Sequence, residues 1–397
     1  MLSIKMKQSY DSPTIIMFLM LLYLISTLIQ GVLPISINRI LLFLIIILII
    51  IDFLSSSTKT RMIVVLYSLF VFLYMLLIST ELGTSLRDMI YFLSTIMILL
   101  FFSEKRNFKC FKFALIRYEY IITKILYLLL FLTILSLFLN SSYIINWSDS
   151  YYVGFVGMPH TAASSLCLLM AFFLLIFNDK SFKFYRLCIL VCLIGIIFKT
   201  GARTFIVPAL LICFLYIKDV LKNKWIKMFV YVFVASLITY IFINSNMMDK
   251  FLWSADSANQ YTSNALSSMT GGRSSFWKID LHVFFNQNPI FQIIGRGFDF
   301  PYLTNLKYYN MHIWAHNDII DILLSLGYLG CFAYIFIWNI FLKNIFKQKK
   351  NKVLYFILLI YIFFPMLING VFIAQHYLFS IIIFSICITS KKEKALL

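Results

Sequence analysis

Long apolar stretches separated by short polar connections run through the whole chain. A spanning helix needs about 20 mostly apolar residues, and stretches of roughly that length predict about 12 transmembrane helices. An outer-membrane strand would instead alternate apolar and polar residues. We therefore expect an all-α, polytopic membrane protein, with spans near residues 14–30, 39–54, 62–79, 88–102, 121–139, 161–177, 187–198, 204–217, 228–243, 317–341, 353–369 and 371–389.

The composition supports this interpretation. Of the 397 residues, 62% are hydrophobic and only 13% are charged, so too little polar surface exists to cover a water-soluble core. The seven cysteines lie mostly within apolar stretches and lack metal-ligand spacing, and we interpret them as small core residues. We therefore expect neither a bound metal nor a cofactor.

The basic residues are distributed unevenly between alternate connections. With a cytoplasmic N-terminus, 24 Lys and Arg residues fall on the cytoplasmic side, and the exoplasmic side holds nine: Arg39, Arg87, Lys199, Arg203, Lys250, Arg273, Lys278, Arg296 and Lys307. The positive-inside rule thus predicts that both termini are cytoplasmic. This topology accounts for the net charge of +18, so no nucleic-acid partner is expected.

One connection is far longer than the others. It divides the chain into nine N-terminal spans at 1–243, an exoplasmic loop at 244–316, and three C-terminal spans with a cytoplasmic tail at 317–397. A structureless loop of that length is usually functional or disordered. The many aromatic residues of this loop favour an ordered cap over the membrane face.

The loop is expected to be partly helical. Four apolar residues at helical spacing predict an amphipathic helix over 274–287 that lies in the membrane interface: Phe276, Ile279, Val283 and Phe284. The dipeptide "NP" at 288–289 ends that helix, and "GRG" at 295–297 predicts a turn.

The tenth span begins with the polar sequence "HND" at 316–318. We expect His316 to point at the junction of membrane and cap, with the carboxylates that follow it close enough to set its tautomer. The alternative is a structural helix start, in which Asn317 or Asp318 caps the helix or complements its dipole. Farther along, the glycines of "GYLG" at 327–330 allow another helix to approach closely.

Three arginines beside the loop are candidate anion ligands, because a guanidinium suits bidentate binding of phosphate. Arg203 in "KTGART" lies at or just below the exoplasmic surface, where an arginine is costly unless it is paired or faces a wet cavity. Arg273 in "GGRSSFW" lies at the start of the predicted amphipathic helix, where free N–H groups favour an anion. Arg296 lies between glycines that allow backbone amides to approach a ligand. A snorkelling anchor for Arg203 and a solvated loop charge for Arg273 are the open alternatives.

Four segments together resemble the superfamily of O-antigen ligases and Wzy-type polysaccharide polymerases. They are "TGART" at 200–204, "GGRSSFW" at 271–277, "NPIFQIIGRGFDF" at 288–300 and "HNDIIDILLSLGYLG" at 316–330. Their order matches, as does their placement around a large exoplasmic loop, and the resemblance covers about residues 190–340. In addition, "GMPHTAAS" at 157–164 lies where related chains carry a turn with Pro and Asn, although the Asn is missing here.

The resemblance implies a metal-independent glycosyltransferase with a GT-C-like helical fold, which moves a glycan from undecaprenyl diphosphate to a sugar hydroxyl with inversion. Arg203 and Arg273 would neutralise the departing diphosphate, and His316 would accept the proton of the attacking hydroxyl. We assign substrate binding to further residues in or beside the same segments: Lys199, Trp277, Arg296, Asn317 and His160.

Polymerases and ligases of this superfamily differ in their acceptors. A polymerase extends a lipid-linked repeat, whereas a ligase attaches the finished chain to a lipid core, a wall polymer or a protein. We expect a polymerase for capsule, exopolysaccharide or O-antigen in a bacterial cytoplasmic membrane, with the flippase and chain-length regulator of its pathway as partners. A transporter or flippase of lipid-linked sugars is the alternative from another class, but transporters usually hold charge near the bilayer midplane, and here the polar residues gather at one face.

The charge asymmetry predicts which side of the membrane two connections face. Ser257→Cys should react with a membrane-impermeant thiol reagent added to intact cells, and Asn351→Cys should not. The parent protein, with its native cysteines, is the background control. Equal labelling at both positions would overturn the predicted topology.

Overall fold

The computed structural model describes residues 12–31, 37–55, 59–146, 149–177, 183–245, 247–248, 272–346 and 352–389. Ser257, Asn351 and residues 249–271 of the exoplasmic loop lie outside these ranges. Within them the helices are α1 (Ser12–Leu28), α2 (Ile37–Ser55), α3 (Lys59–Ile78), α4 (Leu82–Ser103), α5 (Lys105–Arg117), α6 (Glu119–Ser136), α7 (Pro159–Ile176), α8 (Phe184–Lys199), α9 (Ile206–Val220), α10 (Lys224–Ile243), α11 (Arg273–Asn286), α12 (Pro289–Ile294), α13 (Phe300–Tyr309), α14 (Asp318–Phe346), α15 (Lys352–Ile368) and α16 (Gln375–Thr389).

Seven of the described helices are long and apolar enough to cross a membrane: α2, α3, α4, α6, α7, α10 and α14. The apolar helices α1, α15 and α16 are somewhat shorter. The all-α, polytopic class is therefore confirmed. Helices α8 and α9 coincide with the two remaining predicted spans, but their 16 and 15 residues reach only about 24 and 22 Å, less than the ~30 Å of a bilayer core. A count of twelve complete spans therefore stays a prediction.

Besides the cap helices α12 and α13, a β-hairpin and a helix were not predicted from the sequence. A hairpin of β1 (Tyr143–Asn146) and β2 (Asp149–Tyr152) precedes α7, with Tyr143 paired antiparallel to Tyr152. The basic connection before α6 forms the helix α5, which buries Phe108 and Phe111 in the core and exposes Lys105. An apolar side opposite a basic side is typical of a helix that lies along a membrane surface.

Helix α16 forms the centre of the bundle. Of its 15 residues, 14 are buried, and it packs along α7. The rings of Tyr377 and Phe384 stack on Tyr361 of α15, with centroids 5.4 and 3.9 Å apart. A helix that is apolar on every side belongs in an interior. The connection between α15 and α16, residues 369–374, is thereby brought to the middle of one end of the bundle.

Residues 272–316 of the loop form a cap, which hydrogen bonds connect to the start of α4. Asp299 accepts hydrogen bonds from Thr80 N at 2.7 Å, from Glu81 N at 2.8 Å and from Ser85 Oγ at 2.9 Å. Burial alone would raise the pKa of Asp299, but these hydrogen bonds lower it. An ionised Asp299 therefore fastens the cap to the transmembrane bundle.

The helix predicted over 274–287 is confirmed as α11, but it is not strongly amphipathic and its apolar residues pack on protein. Phe276 contacts Tyr309 of α13 edge-on, with ring centroids 4.7 Å apart. Phe284 is fully buried and contacts Tyr328 of α14 at 5.2 Å. These residues therefore hold α11 against the cap and α14, which differs from the expected position along a lipid surface.

A kink in α14 receives the segment that follows α12. Gly327 has a φ of +63° and a ψ of −160°, which interrupts the helix. The carbonyls of Leu324 and Ser325 accept hydrogen bonds from Arg296 N at 3.0 Å and from Gly297 N at 2.9 Å. Backbone groups that the kink would leave without helical partners are satisfied by the cap in this way.

Gly327→Ala should destabilise the protein by about 2 kcal/mol or more, since a side chain at positive φ adds strain and its Cβ would lie 2.4 Å from Ile293 O. Gly83→Ala is the matched control, because nothing lies within 4 Å of the Cβ that it adds. Melting temperatures of both purified variants in one detergent test this. An unchanged melting temperature for Gly327→Ala would contradict the close approach of α12.

Candidate active site

The turn that leads into α14 holds His316 in a strained backbone conformation. Its φ of +56° lies in the left-handed region, which is uncommon for residues other than glycine. Asp321 accepts hydrogen bonds from Ala315 N at 2.9 Å and from Asn317 N at 3.4 Å. From α11, Trp277 Nε1 donates to Ala315 O at 2.7 Å. Strained residues that their surroundings hold in place cluster at functional sites, so this turn is the first sign of a site.

The polar residues around His316 have structural roles. Asn317 caps α14: its Oδ1 accepts two first-turn N–H groups, and its Nδ2 donates to Leu367 O at 2.9 Å. Asp318 is buried and accepts hydrogen bonds from Val371 N at 2.9 Å and from Tyr334 Oη at 2.6 Å. The expectation that carboxylates set the imidazole tautomer is therefore wrong, because they bind other partners. Both polar ends of Asn317 are engaged with backbone, which leaves its predicted substrate role without support.

Two of the three candidate arginines meet beside this turn. Arg273 Nη1 donates to Ile368 O at 2.6 Å and lies 3.4 Å from Thr204 Oγ1, and Nη2 donates to Asn369 Oδ1 at 3.4 Å. Burial, together with the charge of Arg203, lowers the pKa of Arg273 to about 10. Two neighbouring cations that are largely removed from water are unfavourable without an anion. The pair is therefore a candidate anion site.

His316 lies next to these cations. Burial lowers its pKa well below the ordinary 6.5, and the charges of Arg273 and His160 lower it further, while a hydrogen bond with the Asn369 side chain opposes this. The ring packs on Trp314, with centroids 4.3 Å apart. Its Nδ1 is shielded from solvent and has no hydrogen-bond partner among the described residues. A neutral imidazole with one ring nitrogen available is what a general base requires.

The structure thus brings four predicted site residues into one cluster. Arg203 comes from the turn between α8 and α9, Arg273 from α11, His316 from the head of α14, and His160 from the first turn of α7. Trp277 supports the His316 turn through its hydrogen bond to Ala315 O, and its predicted role in substrate binding stays a prediction. Catalysis by the cluster stays a prediction, but its members are close enough to act on one substrate.

Lys199 lies apart from these contacts, at the end of α8. It is exposed and lines an apolar groove of about 500 Å³ between α8 and α10, together with Leu187, Val191, Phe233 and Leu237. Its predicted role in substrate binding stays a prediction.

Arg296 is engaged within the cap. Its Cζ lies 5.0 Å from the ring centroid of Phe291 and 4.6 Å from that of Phe300. The backbone amides of "GRG", which were expected to approach a ligand, donate to carbonyls of α14. The guanidinium lies over aromatic rings and the backbone holds the cap in place, and the predicted substrate role of Arg296 stays a prediction.

Three residues of the cluster were missed in the sequence. Asn369 contacts Arg273 and His316. Trp314 packs on His316. Burial lowers the pKa of Arg203, and the neighbouring Tyr151 of the hairpin raises it. The dipeptide "NG" at 369–370, a turn signal directly after an apolar helix, marks Asn369. No comparable signal marks the two aromatic residues in a chain with 18% aromatic residues.

Residues 188–335 match the family model described as O-antigen ligase, Wzy_C. This part of the chain is similar to the O-antigen ligase family. The resemblance found in the sequence is thereby confirmed, and members of the family are glycosyltransferase-like enzymes that act as ligases or polymerases. The O-antigen ligase match includes Arg203, Arg273 and His316, whereas Asn369 and His160 lie outside it. Comparisons with curated proteins and with solved structures found no match.

The charge of Arg273 should control the protonation of His316. Arg273→Gln removes one positive charge beside the imidazole, so the pKa of His316 should rise toward the ordinary value. Diethyl pyrocarbonate reacts with the neutral imidazole, and mass spectrometry of the His316 peptide across pH gives the midpoint of the reaction. Lys307→Gln, which removes an exposed charge from α13, is the control and should leave the midpoint unchanged. A midpoint equal to that of wild type in Arg273→Gln would contradict the arrangement.

Proposed function

We propose that the protein is a polysaccharide polymerase. It joins undecaprenyl-diphosphate-linked oligosaccharide repeats on the exoplasmic face of the bacterial cytoplasmic membrane, with inversion and without a metal. The observation that carries the proposal is the meeting of Arg203, Arg273 and His316 at one end of the bundle. This cluster combines two cations for a leaving diphosphate with one neutral base for an attacking hydroxyl.

Arg203 and Arg273 bind the donor diphosphate through their planar donor groups. Their mutual repulsion is unfavourable in the free protein, and a bound anion neutralises it. As the bond between the anomeric carbon and the diphosphate oxygen breaks, the electron pair moves onto the diphosphate. Cations that are already in place stabilise this developing charge without reorganisation.

His316 accepts the proton of the acceptor hydroxyl while the hydroxyl oxygen attacks the anomeric carbon from the face opposite the diphosphate. Burial, and after it the charge of Arg273, keep the imidazole neutral in the free protein by lowering its pKa, which also lowers its basicity. A bound diphosphate offsets this charge, so binding of the donor raises the pKa of His316. The base is thus strengthened only when the substrate is in place.

The groove between α8 and α10 supports a lipid-linked donor. Its volume of about 500 Å³ and its apolar lining suit part of a polyprenyl tail. Lys199 lines the same groove and lies four residues before Arg203 in the chain. A tail in this groove would therefore have its diphosphate on the side of the two arginines.

The experiment supplies purified lipid-linked repeats as both donor and acceptor, in proteoliposomes with a chelator. The wild type should build chains of increasing length. Arg203→Lys and Arg273→Lys keep the charge but lose the bidentate geometry, and each should lower turnover by about 10- to 1,000-fold, at about 1.4 kcal/mol per decade. His316→Ala should leave single repeats unextended.

Arg186→Lys is the matched control. Arg186 is also buried, but it lies at the other end of α8, where Nη1 donates to Phe177 O at 3.3 Å, and a wild-type rate is expected. Wild-type rates in Arg203→Lys and Arg273→Lys, or a requirement for a divalent metal, would contradict the proposed chemistry. Transfer that occurs only after a lipid core, a wall polymer or a protein acceptor is added would identify a ligase.

A further inference from the structure

Asp280 is a buried carboxyl group outside the cluster described above. It lies in α11, three residues after Trp277, and it is completely removed from solvent. Neither of its oxygens has a hydrogen-bond partner in the part of the chain that the structure describes. An ionised carboxylate without donors is very unfavourable in such surroundings.

A second buried acceptor lies beside it. Asn305 of α13 is fully buried and adjacent to Asp280. Its Nδ2 donates to Ile313 O at 3.1 Å, but its Oδ1 has no donor within the described ranges. A protonated Asp280 carries an O–H donor, which is the group that the acceptor Asn305 Oδ1 lacks.

The hydrogen bond from Asn305 to Ile313 O connects Asn305 with the backbone segment that precedes His316. The carbonyl of Ile313 belongs to the segment 311–315, which leads directly into the strained His316 turn. Trp277 holds the same segment through Ala315 O at 2.7 Å. Helix α11 is therefore connected to this segment in two ways. Trp277 donates to it directly, and Asp280 lies beside Asn305, which donates to Ile313 O.

We propose that Asp280 is a positioning residue that is held protonated and, through Asn305, keeps the segment 311–315 in the geometry that presents His316. The positioning role rests on the glycosyl transfer proposed above, whereas the proton on Asp280 does not.

Burial raises the pKa of Asp280 to about 7. The amide of Asn305 would oppose this rise by donating to an ionised carboxylate, but in the structure that amide donates to Ile313 O. From the elements packed around Asp280, Asp321 of α14 and Tyr309 of α13 are the titratable groups that interact with it. A folded-state pKa above the ordinary 3.8 means that the contribution of Asp280 to stability is complete below about pH 4 and is lost as the pH rises through about 7.

Infrared spectroscopy tests the proton without any substrate. Asp280→Asn keeps the size of the side chain and replaces the O–H donor with an N–H donor. Wild type at about pH 6 should show a carbonyl stretch of a protonated carboxyl that Asp280→Asn lacks. Asp299→Asn, at a carboxylate whose pKa hydrogen bonds lower despite its burial, should leave that band unchanged.

Polymerisation and melting measured against pH test the positioning role. Asp280→Asn should keep a rate within about twofold of wild type near neutrality, and Asp280→Ala should lose about tenfold or more. The rate of wild type should fall as the pH rises through about 7, and its melting temperature should fall between about pH 4 and 7. Asp280→Asn should show neither fall.

An unchanged carboxyl band in Asp280→Asn would overturn the protonated state, whatever the activity. The positioning role would be overturned if Asp280→Asn lost the carboxyl band while wild type, Asp280→Asn and Asp280→Ala had equal rates and equal pH profiles. If the wild type transfers no glycan under any condition, the proposed function and the positioning role fail together, and the band still decides the protonation of Asp280.

Discussion

Backbone groups inside an apolar bundle need hydrogen-bond partners from the protein itself. At the candidate site, two carboxylates in the first turn of α14 supply such partners to backbone N–H groups. Asp321 binds the amides on both sides of His316 and thereby stabilises its positive φ. Asp318 binds the amide of Val371, next to Gly370, where a Cβ would lie 2.7 Å from Asp318 Oδ1. The same two carboxylates thus bring the His316 turn and the connection before α16 together.

That arrangement creates an electrostatic imbalance. Arg273 donates to the carbonyl of Ile368 and to Asn369, and it lies close enough to Arg203 and His316 for its charge to lower the pKa of the imidazole. The described contacts of Arg273 in the cluster are to neutral oxygens. Repulsion between the cations is therefore retained in the free protein, and an anionic ligand relieves it. Under the proposed function, this positive charge beside a neutral imidazole favours binding of the donor diphosphate.

Hydrogen bonds from the cap to several segments hold the arrangement around His316 in place. The cap is fastened to α4 through Asp299, to the kink of α14 through the amides around Gly297, and to the His316 segment through Trp277 and Asn305. Catalytic groups on loops act with precision only when a supporting shell holds them. In this protein that shell consists mainly of side chains bonded to backbone atoms of distant segments.

The sequence by itself determined the membrane class, the positions of the apolar helices, the helical cap and the resemblance to O-antigen ligases, because apolar length, helical spacing and motif order are local properties. It also marked Arg203, Arg273, His316 and His160 as candidates. Only the tertiary structure decided that Asn369 joins them and that Arg296 and Asn317 are engaged elsewhere. Those outcomes depend on which backbone and aromatic partners lie within hydrogen-bond or van der Waals distance after folding, and such distances between remote segments are set by packing of the whole bundle.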